Sequence, residues 1–131
     1  MLQNLEKISL FHGNSFGGIR KLLITVTPDT IHIKDNSPPD KRDAFPRDIT
    51  GEENVKSFLE ELSKIDFASW EKEYVGKEKN NFDTWSLCFS FSDKEPLEIS
   101  GGFGGYPKEW NSFLAFLLKY TCVMDFSDEE D

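Results

Sequence analysis

The chain alternates apolar and polar side chains over the stretch Phe82-Asp83-Thr84-Trp85-Ser86-Leu87-Cys88-Phe89-Ser90-Phe91. From Trp85 onward every second side chain is large and apolar, and the residues between them are Ser or Cys. Because successive side chains of a β-strand point to opposite faces of a sheet, this period of two predicts a half-buried strand. The fold is therefore expected to contain a sheet with one apolar face that other elements cover.

Further strands are predicted on both sides of this stretch. Apolar residues alternate over 22–26 and again over 31–33, and the Pro-Asp turn at 27–30 between them indicates a β-hairpin. Upstream, Ile8 and Leu10 indicate another strand, joined to the hairpin by a Gly-rich link. Downstream, residues 97–99 follow a charged turn and are expected to pair with the strand at 82–91.

Two segments show helical spacing. Thr50 and Glu53 match the pattern of a capping box, and apolar residues then recur every three or four positions, which predicts a helix over about residues 51–64. Pro107 is expected to open a second helix, because proline fits the first helical turn, and an apolar stripe begins at Trp110. Both helices are expected to pack on the apolar face of the sheet.

The remaining long segments are predicted to be irregular. Residues 35–50 contain three prolines and few apolar side chains, which indicates a surface loop, and residues 66–81 show no clear period. The pattern predicts an α+β fold in which an antiparallel sheet of about five strands, β-β-β-α-β-β-α along the chain, is covered on one face by two helices. We expect a single domain over residues 1–124 and an acidic disordered tail over 125–131.

Acidic residues are concentrated in the later part of the chain. Residues 1–50 carry seven Lys or Arg and six Asp or Glu, a net charge of +1, whereas residues 51–131 carry eight basic and eighteen acidic side chains, a net charge of −10. Such a surplus repels nucleic acid and anionic membranes and speeds encounters with cationic surfaces. A basic protein partner is therefore expected, without nucleic-acid or membrane binding, and the oligomeric state is left open.

The sequence contains no recognisable catalytic, metal-binding or cofactor-binding motif. The glycines of Gly101–Gly105 match neither the P-loop nor the dinucleotide-binding spacing, so this segment is interpreted as a sharp turn. His12 and His32 are the only imidazoles, which is too few for a zinc site. Cys88 and Cys122 are expected to be free thiols, since no export signal precedes them. We expect a cytoplasmic protein without enzymatic activity, metal or cofactor.

Four motifs give the chain a resemblance to a loosely defined group of small bacterial proteins. They are Phe67-x-x-Trp70, Phe82-Asp83-x-Trp85-x-Leu87-x-Phe89, Ser100-Gly101 and Tyr106-Pro107-x-x-Trp110. The likeness covers residues 67–118 best and extends more weakly to residues 11–18. Most proteins of this group have no assigned activity, and some look like immunity proteins that neutralise a paired bacterial toxin. The chain departs from the group in its Gly-Gly-Phe-Gly-Gly link, which is richer in glycine.

Charge and resemblance together favour an immunity protein that blocks a basic, nuclease-type toxin by direct binding. The predicted contacts with Lys or Arg of the partner are six acidic side chains, Glu60, Glu61, Glu71, Glu73, Glu78 and Asp83. One alternative is a housekeeping or regulatory peptide- or protein-binding module whose acidity only keeps it soluble. Another, ranked last, is a hydrolase that uses carboxylates. Charge reversal at the six acids leaves affinity unchanged under the first alternative, and a single amide replacement abolishes turnover under the second.

Overall fold

The computed structural model describes residues 3–14, 18–35, 47–77 and 83–121. Together these residues form an α+β fold with a mixed sheet of seven strands and two α-helices. The strands are β1 (Leu5–Asn14), β2 (Gly18–Val26), β3 (Thr30–Asp35), β4 (Arg47–Thr50), β5 (Glu73–Val75), β6 (Asp83–Phe91) and β7 (Leu97–Gly102). The α-helices are α1 (Glu52–Leu62) and α2 (Trp110–Thr121), and a short 3-10 helix spans Phe67–Ser69.

The strand order of the sheet is β4-β3-β2-β1-β6-β7-β5. All neighbouring strands are antiparallel except β5 and β7, which are parallel. The register aligns the apolar residues of adjacent strands, so that Leu10 of β1 lies between Leu22 of β2 and Leu87 of β6. The apolar side chains of the central strands therefore share one face, as the alternation predicts.

Two short strands correct the expectation of about five antiparallel strands. β4 lies in the segment 35–50 that was expected to be a loop, and it pairs Ile49 with Ile31 of β3. β5 lies in the segment 66–81 that was expected to be irregular, and it pairs in parallel with β7. The two strands have only four and three residues, which is too short for a period of two to show in the sequence. Their neighbours in the sheet, rather than their own residues, determine that they are extended.

The longer strands confirm the predictions made from alternation. β2 and β3 form the expected hairpin, and the N–H of Thr27 donates to the carbonyl oxygen of Thr30 at 2.8 Å across its turn. β6 and β7 pair as expected, with Leu87 opposite Ile99. β1 is longer than predicted, because it continues to Asn14 and takes up much of the Gly-rich link.

Both predicted helices form; α1 starts within one residue of the predicted position, whereas α2 starts later than Pro107. The prediction of a capping box at Thr50 and Glu53 was wrong. The N-cap of α1 is Gly51, with φ 97°, and no side chain caps the helix. The helix begins at Glu52, where Gly51 adopts a backbone conformation that a residue with a Cβ rarely takes. The second helix, α2, begins at Trp110, and the N–H of Trp110 donates to the carbonyl oxygen of Pro107 at 3.1 Å.

The core lies between the apolar face of the sheet and both helices. Phe58 of α1 contacts Phe116 of α2 with ring centroids 4.9 Å apart, and Phe67 of the 3-10 helix lies 4.7 Å from Phe89 of β6. All four rings are buried. Since each such ring removes roughly 150–250 Å² from water, aromatic burial supplies much of the stabilisation of this fold.

The opposite face of the sheet is polar. Ser86 of β6 and Lys34 of β3 are exposed there, as is His32, whose Nδ1 pairs with Asp48 of β4. Cys88 is a half-buried free thiol on this face. Cys122 and the predicted tail, residues 125–131, lie outside the described residues.

Candidate functional site

Two of the predicted contact residues lie on α1. Glu60 is exposed, and Glu61 beside it is half-buried. The helix contacts β3 and β4, at one end of the strand order. These two acids therefore lie on the helix-covered side of the sheet.

Three further predicted contacts lie near the other edge of the sheet. Glu73 is exposed on β5, the last strand in the order. Glu71 is exposed just before it, and its backbone N–H donates to the hydroxyl of Tyr74 at 2.8 Å. Asp83 begins β6 and is half-buried. Glu78 lies outside the described residues. The structure thus divides the five described acids between α1 and the region around β5, rather than collecting them on one element.

Asp83 is held by neighbouring side chains of the same fold. The hydroxyl of Tyr106 donates to Oδ2 of Asp83 at 3.4 Å, and Nε2 of His12 lies 3.3 Å from the same hydroxyl oxygen. The ring of Tyr106 lies at 10° to that of Trp85, with centroids 6.1 Å apart. This network joins the ends of β1 and β6 to the turn before α2, which supports a structural role for Asp83. Sequence analysis missed it because His12 and Tyr106 are 94 positions apart.

A groove with a volume of about 760 Å³ lies between α1, the first residues of β1 and the turn between β2 and β3. Its aliphatic lining consists of Leu5, Val26, Val55 and Leu59. Leu5 and Val55 belong to the core, whereas Val26 and Leu59 are only partly buried. The groove therefore offers apolar surface that a partner could cover, and such surface is typical of interaction sites.

The charged side chains that line this groove are predominantly acidic. They are Glu6 of β1, Glu52 and Glu60 of α1, and Lys56 of α1. All four are exposed, and three carboxylates against one ammonium group give the rim a net charge of −2. Since an apolar wall concentrates the field of nearby charges, this rim attracts cationic groups towards the apolar floor. We call the feature the acidic groove and define it by these four charged and the four apolar residues.

Sequence analysis identified one member of the acidic groove, Glu60, and missed Glu6 and Glu52. The groove is assembled from the start of β1, the turn between β2 and β3, α1 and Ser92. These segments are far apart along the chain, so no local pattern could indicate that they meet.

Two further features of the described residues concern metal binding and membrane crossing. Within them, no group of three or more His, Cys, Asp or Glu side chains is placed to hold a metal ion, and no helix is long and apolar enough to cross a membrane. No protein-family model matches the sequence, and no curated protein matches it. Function therefore has to be inferred from the chemistry of the surface.

Proposed function

We propose that the chain is a non-enzymatic binding protein that neutralises a basic protein partner by direct contact, as an immunity protein neutralises its paired toxin. The proposed docking site is the acidic groove. The observation that carries this proposal is an apolar floor enclosed by three carboxylates and a single ammonium group. The resemblance of residues 67–118 to small bacterial proteins, some of them immunity-like, supports it. The proposed place of action is the bacterial cytoplasm.

In this proposal the rim of the acidic groove governs association and its floor governs dissociation. Carboxylates raise the local concentration of a cationic partner and speed the encounter. This effect weakens with salt, because charges are screened over about 8 Å at physiological ionic strength. Apolar side chains of the partner that cover Val26 and Leu59 leave water on docking, which slows release.

A nuclease-type toxin is the proposed partner because its own substrate site must be basic. Proteins that bind nucleic acid neutralise phosphates with Lys and Arg. The carboxylates of Glu6, Glu52 and Glu60 can take the place of those phosphates. Binding then excludes the nucleic acid from the toxin, and inhibition needs no catalytic group on this chain.

The test first asks whether the reading frame next to this gene encodes a basic, nuclease-type protein; its absence would count against the proposal, and its presence supplies the partner for the measurements below. The purified chain is expected to inhibit nucleic-acid cleavage by that protein at equimolar concentration, with an affinity that falls as salt is raised. The double variant Glu52→Gln/Glu60→Gln should lower the association rate about tenfold. The matched control Glu95→Gln/Glu98→Gln removes the same charge from the exposed β6–β7 turn and β7, and it should associate like the unmodified chain.

Three outcomes would contradict parts of this proposal. Equal association rates for the two double variants would exclude docking in the acidic groove. An affinity that is indifferent to salt and to charge reversal at the predicted acids would favour the alternative, a binding module whose acidity only keeps it soluble. Turnover of a substrate by the chain alone, lost on a single amide replacement, would exclude a non-enzymatic role.

A further inference from the structure

The edge strand β5 points some of its backbone N–H and C=O groups away from the sheet. On its inner side, the carbonyl oxygen of Lys72 accepts the N–H of Ser100 at 3.0 Å, and the N–H of Gly76 donates to the carbonyl oxygen of Gly102 at 2.9 Å. Alternate residues of a strand turn their N–H and C=O groups to opposite sides. Since residues 72 and 76 bond towards β7, Glu73 and Val75 turn both backbone groups outward, as a template for a further strand.

Two large apolar side chains are exposed at this edge. Val75 is 64% exposed and Phe103 is 43% exposed, and they are the most exposed large hydrophobic side chains of the described residues. Their backbones lie close together, because Val75 is paired with Gly102, the residue before Phe103. Exposed apolar residues that occur singly need no explanation, but one on an edge strand together with one on the neighbouring turn indicates a contact surface.

Two backbone hydrogen bonds anchor the turn that carries Phe103. The N–H of Phe103 donates to the carbonyl oxygen of Asp83 at 3.2 Å, and the N–H of Gly105 donates to that of Gly102 at 3.0 Å. Phe103 has a φ of 53°, in the left-handed region that disfavours a residue with a Cβ. Strained conformations of this kind persist where the surroundings enforce them, and they cluster at functional sites. A rigid aromatic side chain also loses little conformational entropy on binding.

Gly105 allows this turn to lie directly against β5. A Cβ at Gly105 would lie 2.5 Å from the carbonyl oxygen of Tyr74, so a larger residue would push the turn away from the strand. Gly101 and Gly105 thus allow the turn that carries Phe103 to pack against the backbone of β5. This gives the Gly-rich link a positional role.

We propose that the edge of β5 and Phe103 together form a docking site for an extended segment of a partner protein, which adds to the sheet antiparallel to β5. In this arrangement a Lys or Arg of the segment lies opposite Glu73, and an apolar side chain two residues away lies opposite Val75. Phe103 anchors the neighbouring part of the partner. Main-chain hydrogen bonds supply affinity, and these three side chains supply specificity.

This docking site is separate from the acidic groove and goes beyond the proposed inhibition. Its surroundings are balanced in charge, with Glu71 and Glu73 exposed beside Lys72 and Lys77. Charge complementarity therefore depends on the single position opposite Glu73, rather than on an overall basic partner. β5 also stands at the edge of the sheet opposite to β4, whereas α1 contacts β3 and β4.

The test is a titration of the isotope-labelled full chain with a synthetic peptide, followed by amide chemical shifts. The probe is acetyl-Thr-Lys-Thr-Val-Thr-Lys-Thr-Val-Thr-amide, which can place Lys opposite Glu73 and Val opposite Val75. Binding at about 1 mM or tighter is expected, with the largest shifts at Glu73, Val75 and Phe103. The same peptide with N-methyl groups on Lys and Val cannot donate to β5, and it should bind about tenfold more weakly.

Two variants of the chain separate the backbone contribution from that of the ring. Val75→Pro removes an outward N–H that does not bond to β7, so it should weaken peptide binding about tenfold. The control Val75→Thr keeps this N–H and should bind the peptide nearly as well as the unmodified chain. Phe103→Asn removes the ring but tolerates the left-handed conformation, and it should also weaken binding about tenfold while thermal stability is kept or raised.

Several outcomes would overturn this inference. The first is that chemical-shift changes on titration occur only in elements other than β5 and the turn of Phe103. The second is that no binding is seen at about 1 mM peptide. The third is that the two peptides bind equally well. Self-association of the chain through β5, seen by sedimentation and abolished in Val75→Pro, would assign the edge to a second copy instead. Should Val75→Pro fail to fold, the N-methylated peptide still decides the question on the unmodified chain. Glu52→Gln/Glu60→Gln should leave peptide binding unchanged, so failure of the acidic groove and failure of this site are distinguishable.

Discussion

The indole N–H of Trp85 donates a hydrogen bond to the carbonyl oxygen of Gly105 at 2.8 Å. Trp85 is almost completely buried on β6, whereas Gly105 ends the turn that presents Phe103. The bond therefore connects the interior of the sheet to the exposed turn. Since a buried polar group that loses its partner is costly, both ends depend on this contact.

Replacement of Trp85 by Phe is expected to lower the free energy of unfolding by about 2–3 kcal/mol, because it removes the donor and part of the ring. Urea unfolding measures the loss. The matched control is Trp70→Phe, because the bond from Nε1 of Trp70 to Glu109 is longer, at 3.4 Å. If the two variants lose equal stability, the bond to Gly105 adds nothing beyond the packing of the ring.

The substitution Gly101→Ala should strongly destabilise the fold. A Cβ at this position would lie 2.5 Å from Nε1 of Trp85 and 2.7 Å from the carbonyl oxygen of Tyr74, and neither atom can move without disturbing the sheet. A loss of about 2–4 kcal/mol is expected from this overpacking. At Gly102 the nearest contact of an added Cβ is 3.1 Å, so Gly102→Ala should cost less than half as much. A comparable loss for both in guanidinium unfolding would contradict the steric explanation.

Phe103→Asn is expected to raise stability by up to about 1 kcal/mol, because Asn tolerates the left-handed region better than Phe and the exposed ring contributes little to the core. Phe103→Val keeps an apolar side chain but is β-branched, and it should lower the melting temperature. Calorimetry of the two variants tests whether the φ of 53° is strained. A large loss of stability in Phe103→Asn would mean that the ring supports the fold rather than a partner.

The sequence allowed most of the long elements to be predicted, because their signals are local. The alternation around Trp85 and Leu87 identified β6, and the phase kept from Ile24 to Ile33 across a Pro-Asp turn identified the first hairpin. In contrast, β4 has Ile49 as its only large apolar residue, and its extended conformation follows from pairing with β3. The start of α1 was predicted within one residue, but its capping box was wrong, since the N-cap is Gly51 and no side chain caps the helix.

The candidate site could be predicted only in part. The acidic surplus was visible from composition, but the surface on which each carboxylate lies depends on contacts between distant segments. Glu60 was identified, whereas Glu6 reaches the same groove from β1, a strand in the nearly neutral part of the chain. Conversely, Asp83 belongs to the acidic part of the sequence but bonds to Tyr106 within the fold. Counting charges along the sequence therefore predicted that the candidate site is acidic, but not which residues form it.

Leu59→Lys tests the apolar floor of the acidic groove independently of its rim. Leu59 is partly buried there, and an ammonium group in its place would fill the floor, neutralise part of the rim and repel a basic partner. Affinity for the proposed basic partner is expected to fall about thirtyfold, a change of about 2 kcal/mol. The matched control Leu23→Lys changes a leucine of similar burial on β2, at a position of the opposite, polar face. Each variant should lose about 1–2 kcal/mol of stability, so only a selective loss of affinity in Leu59→Lys supports docking at the groove.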